Sequence, residues 1–268
     1  MNSSGTGRPE HDGIAGSVAV VTGAAGGIGT AIVASLIRCG ATVAALDCAT
    51  ARLASTVAAL SADGTVVGYP VDLTVTAALD EVVECVERDI GPIAILVNAA
   101  GIMRAAAALE LTDDDWSAVF AVNTTAVFAL SRQIGARMAA RRGGCVVTVA
   151  SNAATVPRTQ MAAYCASKAA SAMFTRCLGL ELAPYGVRCN VVSPGSTETS
   201  MLHALWHDES GRAATLGGSP ADFRLGIPLG RIAAPEDVAE AVTFLASARA
   251  RHITMHDLRV DGGATLGG

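Results

Sequence analysis

Short, nearly continuous apolar runs alternate with longer alanine-rich stretches along almost the whole chain. Seven of the runs have the length and β-branched content of buried strands: 18–22, 42–47, 66–70, 93–97, 145–150, 188–193 and 257–260. The stretches between them carry helical patterns: 27–39, 50–62, 74–89, 113–140, 162–183 and 235–247. Because such alternation places helices over both faces of a parallel sheet, the pattern predicts a single α/β domain built on a doubly wound parallel sheet of about seven strands.

Two segments depart from this alternation. Residues 196–230 are rich in Gly, Ser, His and Pro, and an insertion this long between a strand and a helix is more often functional than structural. We therefore expect residues 196–230 to form a lid over a substrate. Residues 1–15 are polar, contain glycine and lack the apolar run of a signal peptide. We expect them to be a disordered tail that precedes one domain spanning residues 16–268.

Composition and charge narrow the classes of function. Of the 268 residues, 51% are hydrophobic and 16% are charged, with a net charge of −5. Neither an arginine cluster typical of nucleic-acid binding nor an uninterrupted membrane-spanning run is present in the sequence. Seven scattered cysteines without a CxxC pair favour reduced thiols in a cytoplasmic protein. The histidines of the lid, among them His203 and His207, lack the ligand spacing of a metal site, so we expect them to pack and to bind no metal.

A glycine-rich loop joins the first predicted strand to the first predicted helix. Gly23 permits a tight turn, Gly27 lets the backbone approach a pyrophosphate, and Gly29 allows close helix–strand contact. The helix N-terminus would face the phosphates. The second strand ends at Asp47, whose carboxylate would bind ribose hydroxyls and repel a 2′-phosphate. With no basic residue in the loop or directly after Asp47, we expect a Rossmann-type domain that binds NAD rather than NADP; a plain turn and a strand-end aspartate are the alternative.

Lys168 is the only lysine in a chain that otherwise uses arginine as its long-chain cation. It follows Tyr164 by four residues, so the two side chains share one face of a helix. An ammonium group beside a phenol stabilises the phenolate and lowers the pKa of the tyrosine, as a general acid or base requires. The alternative is an ordinary exposed helix lysine, which the rest of the chain disfavours.

Several motifs occur together in an order that resembles the short-chain dehydrogenase/reductase family, from about residue 16 to the end of the chain. They are the glycine loop, Asn98-Ala99-Ala100-Gly101, Ser151, the Tyr164–Lys168 pair and Pro194-Gly195. The resemblance implies that Asn123 binds a water that relays protons to Lys168. It also implies that Ser151 hydrogen-bonds the substrate oxygen, that Tyr164 takes the hydroxyl proton, and that Lys168 holds the nicotinamide ribose.

The same resemblance assigns the contacts of the cofactor. Asp72 and Leu73 would lie beside the adenine, and Pro194, Gly195 and Thr197 would hold the nicotinamide. The expected cofactor contacts are Gly23, Gly27, Ile28, Gly29, Asp47, Asp72, Leu73, Asn98, Ala99, Gly101, Tyr164, Lys168, Pro194, Gly195 and Thr197. The resemblance further implies a homotetramer built on residues 113–140, residues 162–183 and the C-terminal segment.

Further stretches are similar to a branch of the family that oxidises a cyclohexadiene-diol carboxylate to the aromatic catechol acid of siderophores: 98–104, 143–164, 186–201, 225–242 and 252–268. A flat ring bearing a carboxylate needs apolar walls and a cation. The resemblance places Met103, Met161 and Met201 at the pocket, with plain core filling as the alternative. Arg158 is the first candidate to pair with the carboxylate, with an ordinary surface arginine as the alternative, and Arg104 is the second candidate.

Three other functions stay open at this point. A dihydro-hydroxyanthranilate would need the same hydride geometry and the same carboxylate contact. An acyl-thioester ketoreductase is disfavoured by Asp47, because such enzymes usually take NADPH. A non-catalytic NAD sensor is disfavoured by the joint presence of Asn123, Ser151, Tyr164 and Lys168.

Overall fold

The computed structural model describes residues 12–206 and 210–266. Within these ranges seven strands form one sheet: β1 (Val18–Thr22), β2 (Thr42–Asp47), β3 (Val66–Pro70), β4 (Ile93–Asn98), β5 (Gly144–Val149), β6 (Val187–Pro194) and β9 (Asp257–Val260). Their order is β3-β2-β1-β4-β5-β6-β9, and every neighbouring pair is parallel. A separate hairpin pairs the two-residue strands β7 (Gly218–Ser219) and β8 (Arg224–Leu225).

Helices cover both faces of the sheet, as the alternation predicts. They are α1 (Gly27–Arg38), α2 (Thr50–Leu60), α3 (Thr76–Asp89), α4 (Asp113–Phe120), α5 (Ala126–Arg141), α6 (Ala162–Leu182), α7 (Ser200–His203), α8 (Gly211–Gly217) and α9 (Pro235–Ala246). Alternate residues of β1 enter different cores: Ala19 and Val21 pack with α1 and α9, whereas Val18 and Val20 pack with α3 and α5. This two-sided burial explains why the strands are apolar without alternation.

The order of the strands determines where along the sheet a ligand-binding crevice forms. From the central strand β1 the chain winds outward in both directions, towards β3 on one side and β9 on the other. In such sheets a crevice opens at the carboxyl ends of the strands where the winding changes direction. That point lies between β1 and β4, beside the glycine loop and the segment 98–101.

Most predicted elements agree with the structure to within two residues, with two exceptions. The predicted helix 113–140 is divided into α4 and α5 by a π-helical turn at Ala121–Thr125. The predicted lid 196–230 contains α7, α8 and the β7–β8 hairpin, none of which was expected from its composition. Among the described residues, no helix is long and apolar enough to cross a membrane.

The boundary of the predicted tail needs a correction. Ile14 is fully buried in the core of α1 and α9, and the Ala248 N–H donates to the Asp12 carbonyl at 2.7 Å. Residues 12–15 therefore belong to the folded domain. Residues 1–11 and His207 lie outside the described residues.

Candidate active site

One continuous cleft runs along the carboxyl edge of the sheet. Its nucleotide end is lined by the glycine loop, Asp47, Asp72 and Leu73, and its substrate end by Ser151, Tyr164 and the segment 194–201. Ile28, Ala99, Gly101, Thr199 and Met201 line both ends and so join them. The strand order thus brings together residues that lie more than a hundred positions apart in sequence.

The glycine loop has the geometry of an anion-binding cradle. Gly23 adopts a positive φ of 66°, and a Cβ built on it would lie 2.7 Å from Ala100 Cα. A Cβ on Gly29 would collide with the Gly23 carbonyl oxygen, so the close helix–strand contact needs glycine there. Gly26 caps α1 without any side-chain hydrogen bond, which leaves the amides at this helix N-terminus directed into the cleft. These features fit a phosphate group.

Asp47 is held rigidly at the nucleotide end. Its carboxylate accepts hydrogen bonds from Ala25 N at 3.0 Å and from Ala49 N at 2.8 Å, one on each oxygen. Asp72 and Leu73 lie beside it on the wall, and Asp72 is fixed in turn by Thr74. Arg52, five positions after Asp47, also lines this end of the cleft.

Asn98 lies deeper than its neighbours. Its side-chain amide donates to Ser131 Oγ at 3.0 Å and to Thr148 Oγ1 at 3.3 Å, inside the buried layer beneath the cleft. Ala99 and Gly101 line the cleft, whereas Asn98 is not part of the wall. Asn98 thus ties β4 to β5 and α5, which agrees with the sheet-supporting part that the resemblance implies for this motif, and its expected contact with the cofactor stays a prediction.

Tyr164 and Lys168 lie on one face of α6, with Ser151 opposite them. Burial lowers the pKa of Lys168 to about 8, and its Nζ donates to the Val149 carbonyl at 2.9 Å. Burial also raises the pKa of Tyr164, outweighing a hydrogen bond with Ser151 that lowers it. Ser151 is 9% exposed, follows β5, and accepts from Ala153 N at 3.1 Å.

The expected lowering of the Tyr164 pKa by Lys168 is wrong in this structure. The ammonium lies 5.9 Å from the centroid of the tyrosine ring and points to the Val149 carbonyl, so its charge does not offset the burial of the phenol. The shared helix face brings the two side chains together, as predicted, but the larger effect on each pKa is desolvation.

Asn123 occupies the π-helical turn between α4 and α5. Its fully buried side chain pairs with the backbone of Ile102, accepting from N and donating to O, both at 2.9 Å. It also donates to Ser167 Oγ at 3.0 Å, one residue before Lys168. A Cβ on Gly101 would lie 3.2 Å from Lys168 Nζ and 3.4 Å from Asn123 Oδ1, so Gly101 leaves no spare room beside these groups.

The substrate end combines apolar walls with cationic side chains. Met103, Met161 and Met201 all lie on the wall, and so do Ser151, Pro194, Gly195 and Thr197. Arg158 lines the same region and is half-buried. Arg104 does not: it is exposed and its Nε lies 3.5 Å from Asp115 Oδ1 on the outer surface. The second candidate for the carboxylate contact is therefore wrong.

The comparisons with known proteins agree with this geometry. A family model described as short chain dehydrogenase matches residues 17–210, which include the glycine loop, Ser151, Tyr164 and Lys168. The chain belongs to the short-chain dehydrogenase family. It is therefore an oxidoreductase that uses a nicotinamide cofactor.

Three members of the short-chain dehydrogenase family are informative relatives. The chain is 53% identical to the 2,3-dihydro-2,3-dihydroxybenzoate dehydrogenase of Bacillus subtilis over 95% of this chain and 98% of that protein. It is 43% identical to the vibriobactin-specific 2,3-dihydro-2,3-dihydroxybenzoate dehydrogenase of Vibrio cholerae, over 93% and 96% of the two chains. A solved structure of a putative NAD(P) dependent gluconate 5-dehydrogenase from Beutenbergia cavernae with bound NADP superposes with a TM-score of 0.85 at 36% identity, covering 93% and 96% of the chains.

Some residues of this short-chain dehydrogenase site were missed by sequence reasoning. Arg224 lines the substrate end, as do Asn152 and Thr199. A usable signal for Arg224 was present in the sequence, because it is one of two arginines within the segment 196–230 that was expected to cover the substrate. No local signal in the sequence indicated Asn152, because its place on the wall depends on a buried hydrogen bond to Asp261, 109 positions later in the chain.

The histidine of the lid that the structure describes has ordinary partners. His203 Nε2 lies 2.6 Å from Glu198 Oε1, and its ring packs 4.7 Å from that of Trp206. Within residues 12–206 and 210–266 no three His, Cys, Asp or Glu side chains are grouped to hold a metal ion. Ten residues between 196 and 230 line the substrate end instead: Ser196, Thr197, Thr199, Met201, Leu202, Leu205, Thr215, Arg224, Leu225 and Ile227.

Proposed function

We propose that this short-chain dehydrogenase oxidises 2,3-dihydro-2,3-dihydroxybenzoate to 2,3-dihydroxybenzoate, with NAD as the hydride acceptor, in the formation of a siderophore or related product. One observation carries the proposal. The buried Tyr164–Ser151 hydroxyl pair opens onto a wall of three methionines with Arg158 beside it, as a flat ring bearing a carboxylate requires. The two relatives named for this reaction add support over nearly their whole length.

In the proposed mechanism the chain positions the diol and moves its proton. Ser151 would hydrogen-bond the reacting oxygen. Tyr164 first gives up its own phenolic proton through the Lys168 relay, and its Oη, then the general base, takes the proton of the C3 hydroxyl. The ketone formed at C3 then tautomerises: C2 gives up its proton, the C3 oxygen gains one, and the aromatic acid results, which makes the overall oxidation effectively one-way. Methionine side chains exclude water from the ring, and Arg158 orients it through the carboxylate.

Lys168 would pass protons between the buried tyrosine and solvent. A lysine pKa of about 8 lies close enough to neutrality for the side chain both to hold and to release a proton. Asn123 would serve as a positioning residue, because its amide fixes the π-helical turn and Ser167 behind Lys168. A water bound at that turn would complete the relay.

The residues of the nucleotide end fit a dinucleotide. The glycine loop and the N-terminus of α1 would hold the pyrophosphate, and Asp72 and Leu73 would contact the adenine. Thr197 with Pro194 and Gly195 would hold the nicotinamide, which when bound supplies the hydride-accepting carbon. Asp47 supports NAD over NADP, because its carboxylate is already anchored by two amides and faces the position of a 2′-phosphate.

We further propose that the enzyme is a cytoplasmic homotetramer. Large apolar side chains on α4, α5 and α6 are exposed in the single chain: Trp116, Phe128, Met173 and Leu180, with exposures of 43%, 44%, 56% and 67%. Their concentration on neighbouring helices supports burial between subunits. The seven cysteines, all with free thiols, support a reducing compartment. Light scattering coupled to gel filtration tests the assembly, and a monomer at micromolar concentration would exclude it.

A substrate panel tests the proposed reaction. The purified enzyme is mixed with NAD or NADP and with 2,3-dihydro-2,3-dihydroxybenzoate, its 2-amino analogue (the dihydro-hydroxyanthranilate), the cyclohexadiene diol without a carboxylate, or a 3-hydroxyacyl thioester. We expect kcat/KM to be highest for the dihydroxy acid with NAD. A higher value for the amino analogue or for the thioester with NADP would replace the proposed substrate.

A further inference from the structure

A second arginine lies at the substrate end of the cleft. Arg224 belongs to the short strand β8, directly after Phe223, which adopts a left-handed φ of 53°. The turn sends the Phe223 ring into solvent, where it is 93% exposed, while Arg224 is half-buried and lines the cleft. The hairpin thus places the charged residue inside and the apolar residue outside, the reverse of what burial energetics alone favours.

The protein takes up only part of the hydrogen-bonding capacity of the Arg224 guanidinium group. Its Nη2 donates to Ser196 Oγ at 2.9 Å, in the loop that follows β6. A guanidinium has five N–H donors, so this hydrogen bond leaves most of the fork available on the cleft side. Ser196 itself is fixed by its carbonyl, which accepts from Ala233 N at 3.1 Å. The hydrogen bond therefore positions Arg224 without saturating it.

The electrostatic surroundings favour an anion. Arg158 and Arg224 both line the substrate end, and none of the described residues of that wall is an aspartate or a glutamate. Burial, and after it the positive charge of Arg158, lowers the pKa of Arg224, so the two cations are close enough to act on each other. The carboxylate of Asp222 opposes this effect but is held by Ser219 at 2.6 Å on the exposed side of the hairpin. The repulsion between two like charges that face one cleft is relieved when an anion binds between them.

We propose that Arg224 and Arg158 together form the carboxylate-binding end of the substrate cleft, and that Arg224 determines the preference of the enzyme for an acid over a neutral diol. This inference rests on the proposed function, whose ring substrate it orients. Arg158 comes from the loop before α6 that also carries Met161, and Arg224 comes from the 196–230 segment, so one carboxylate would join these two sides of the cleft. The pair also explains why a neutral diol of the same shape should be a poor substrate: its binding leaves two half-buried cations without an anion.

The test compares an acid with a neutral partner in matched variants. Arg224→Gln and Arg158→Gln each remove one charge, and Arg104→Gln removes an arginine that lies outside the cleft. Ser196→Ala breaks the hydrogen bond of Arg224 and keeps its charge. For each protein, kcat/KM is measured with 2,3-dihydro-2,3-dihydroxybenzoate and with the cyclohexadiene diol that lacks the carboxylate. Calorimetry of the NADH-loaded enzyme with 2,3-dihydroxybenzoate and with catechol gives the affinities independently of turnover.

We expect Arg224→Gln to lower the acid-to-neutral ratio of kcat/KM by roughly 10- to 100-fold, as for a charge-assisted contact, with a similar loss of affinity for 2,3-dihydroxybenzoate but not for catechol. Arg224→Lys should restore part of the ratio. Arg104→Gln should leave it within about 2-fold, and Ser196→Ala should retain an acid preference above that of Arg224→Gln.

The outcomes separate this inference from the proposed reaction. An unchanged acid-to-neutral ratio and unchanged affinity in Arg224→Gln overturn the inference even when the wild type oxidises the acid. A ratio in Ser196→Ala as low as in Arg224→Gln also overturns it, because the hydrogen bond rather than the charge would then set the preference. If the wild type binds 2,3-dihydroxybenzoate through Arg224 but does not oxidise the dihydro acid, the proposed reaction fails and the anion site stands.

Discussion

Replacing Lys168 with methionine should make the protein's stability respond differently to pH. In the unfolded chain the ammonium has its ordinary pKa of 10.5, whereas burial lowers the pKa in the folded protein to about 8. Between these two values the unfolded chain holds one proton more than the folded protein. The free energy of unfolding of the wild type therefore rises with pH across this window, because the penalty for burying the charge is progressively removed. Lys168→Met has no such penalty at any pH.

The size of the effect follows from the two pKa values. They differ by about 2.5, and a tenfold difference in proton affinity corresponds to about 1.4 kcal/mol, so the buried charge costs about 3 kcal/mol well below pH 8. By the linkage relation, the free energy of unfolding of the wild type rises by about 2 kcal/mol from pH 6.5 to pH 9.5, because this cost becomes smaller. Loss of the hydrogen bond to the Val149 carbonyl destabilises the variant by about 1 kcal/mol or more, but this amount does not depend on pH.

The measurement is urea unfolding of the cofactor-free proteins at pH 6.5, 7.5, 8.5 and 9.5. One fixed protein concentration is used, because subunit association couples stability to concentration. Arg38→Met is the matched control: it removes a cation that is 50% exposed and only 3.6 Å from Glu240. Other titrating groups, including the buried thiols of Cys145 and Cys189, cancel in the difference between wild type and variant.

We expect the stability of the wild type relative to Lys168→Met to increase by about 2 kcal/mol between pH 6.5 and 9.5. The difference between wild type and Arg38→Met should stay constant within about 0.5 kcal/mol, as for an exposed ion pair. A pH-independent difference for Lys168→Met would refute the reasoning, because Lys168 would then carry no buried charge and could not relay protons near neutrality.

Three further substitutions test other parts of the site. Gly101→Ala places a Cβ 3.2 Å from Lys168 Nζ and should displace the ammonium. We therefore expect kcat, measured by NADH absorbance, to fall roughly 10-fold or more. An unchanged kcat would show that the space beside Gly101 is not critical. Asp47→Asn keeps the side-chain shape but removes the charge. The ratio of kcat/KM with NADP to kcat/KM with NAD should therefore rise roughly 10- to 100-fold. A constant ratio would show that the charge of Asp47 does not determine which cofactor is used. Asn123→Asp keeps the acceptor for Ile102 N but loses the donors to Ile102 O and Ser167. Urea unfolding should therefore show a free energy of unfolding lower by about 2 kcal/mol, together with a lower kcat. Wild-type stability would mean that other contacts replace these hydrogen bonds.

Much of the fold could be predicted because its signals are local. Buried parallel strands are continuously apolar, and the glycine loop between β1 and α1 has a spacing that few other structures need. The Tyr164–Lys168 pair was predictable for the same reason, since four residues on a helix place both side chains on one face.

The remaining features depend on distant contacts. The π-helical turn at Ala121–Thr125 is maintained by an amide that pairs with Ile102, and nothing in the apolar spacing of residues 113–140 signals that interruption. The sequence placed Arg158 ahead of Arg104 as the carboxylate partner without excluding the second. In the structure Arg104 pairs with Asp115 at the surface, and of the two only Arg158 lines the cleft. The pKa of Tyr164 depends on how deeply the phenol is buried against Ser151, a quantity that helical spacing does not contain.

The central claim is that Tyr164 takes the proton of a cyclohexadiene diol acid as it is oxidised. The most direct measurement mixes wild type and Tyr164→Phe, in separate reactions, with NAD and 2,3-dihydro-2,3-dihydroxybenzoate, and quantifies both NADH and 2,3-dihydroxybenzoate by chromatography. The account predicts equimolar products from the wild type, and a loss of at least about 1000-fold in kcat for Tyr164→Phe with NAD affinity retained. Catechol acid formed at a comparable rate by Tyr164→Phe would contradict it.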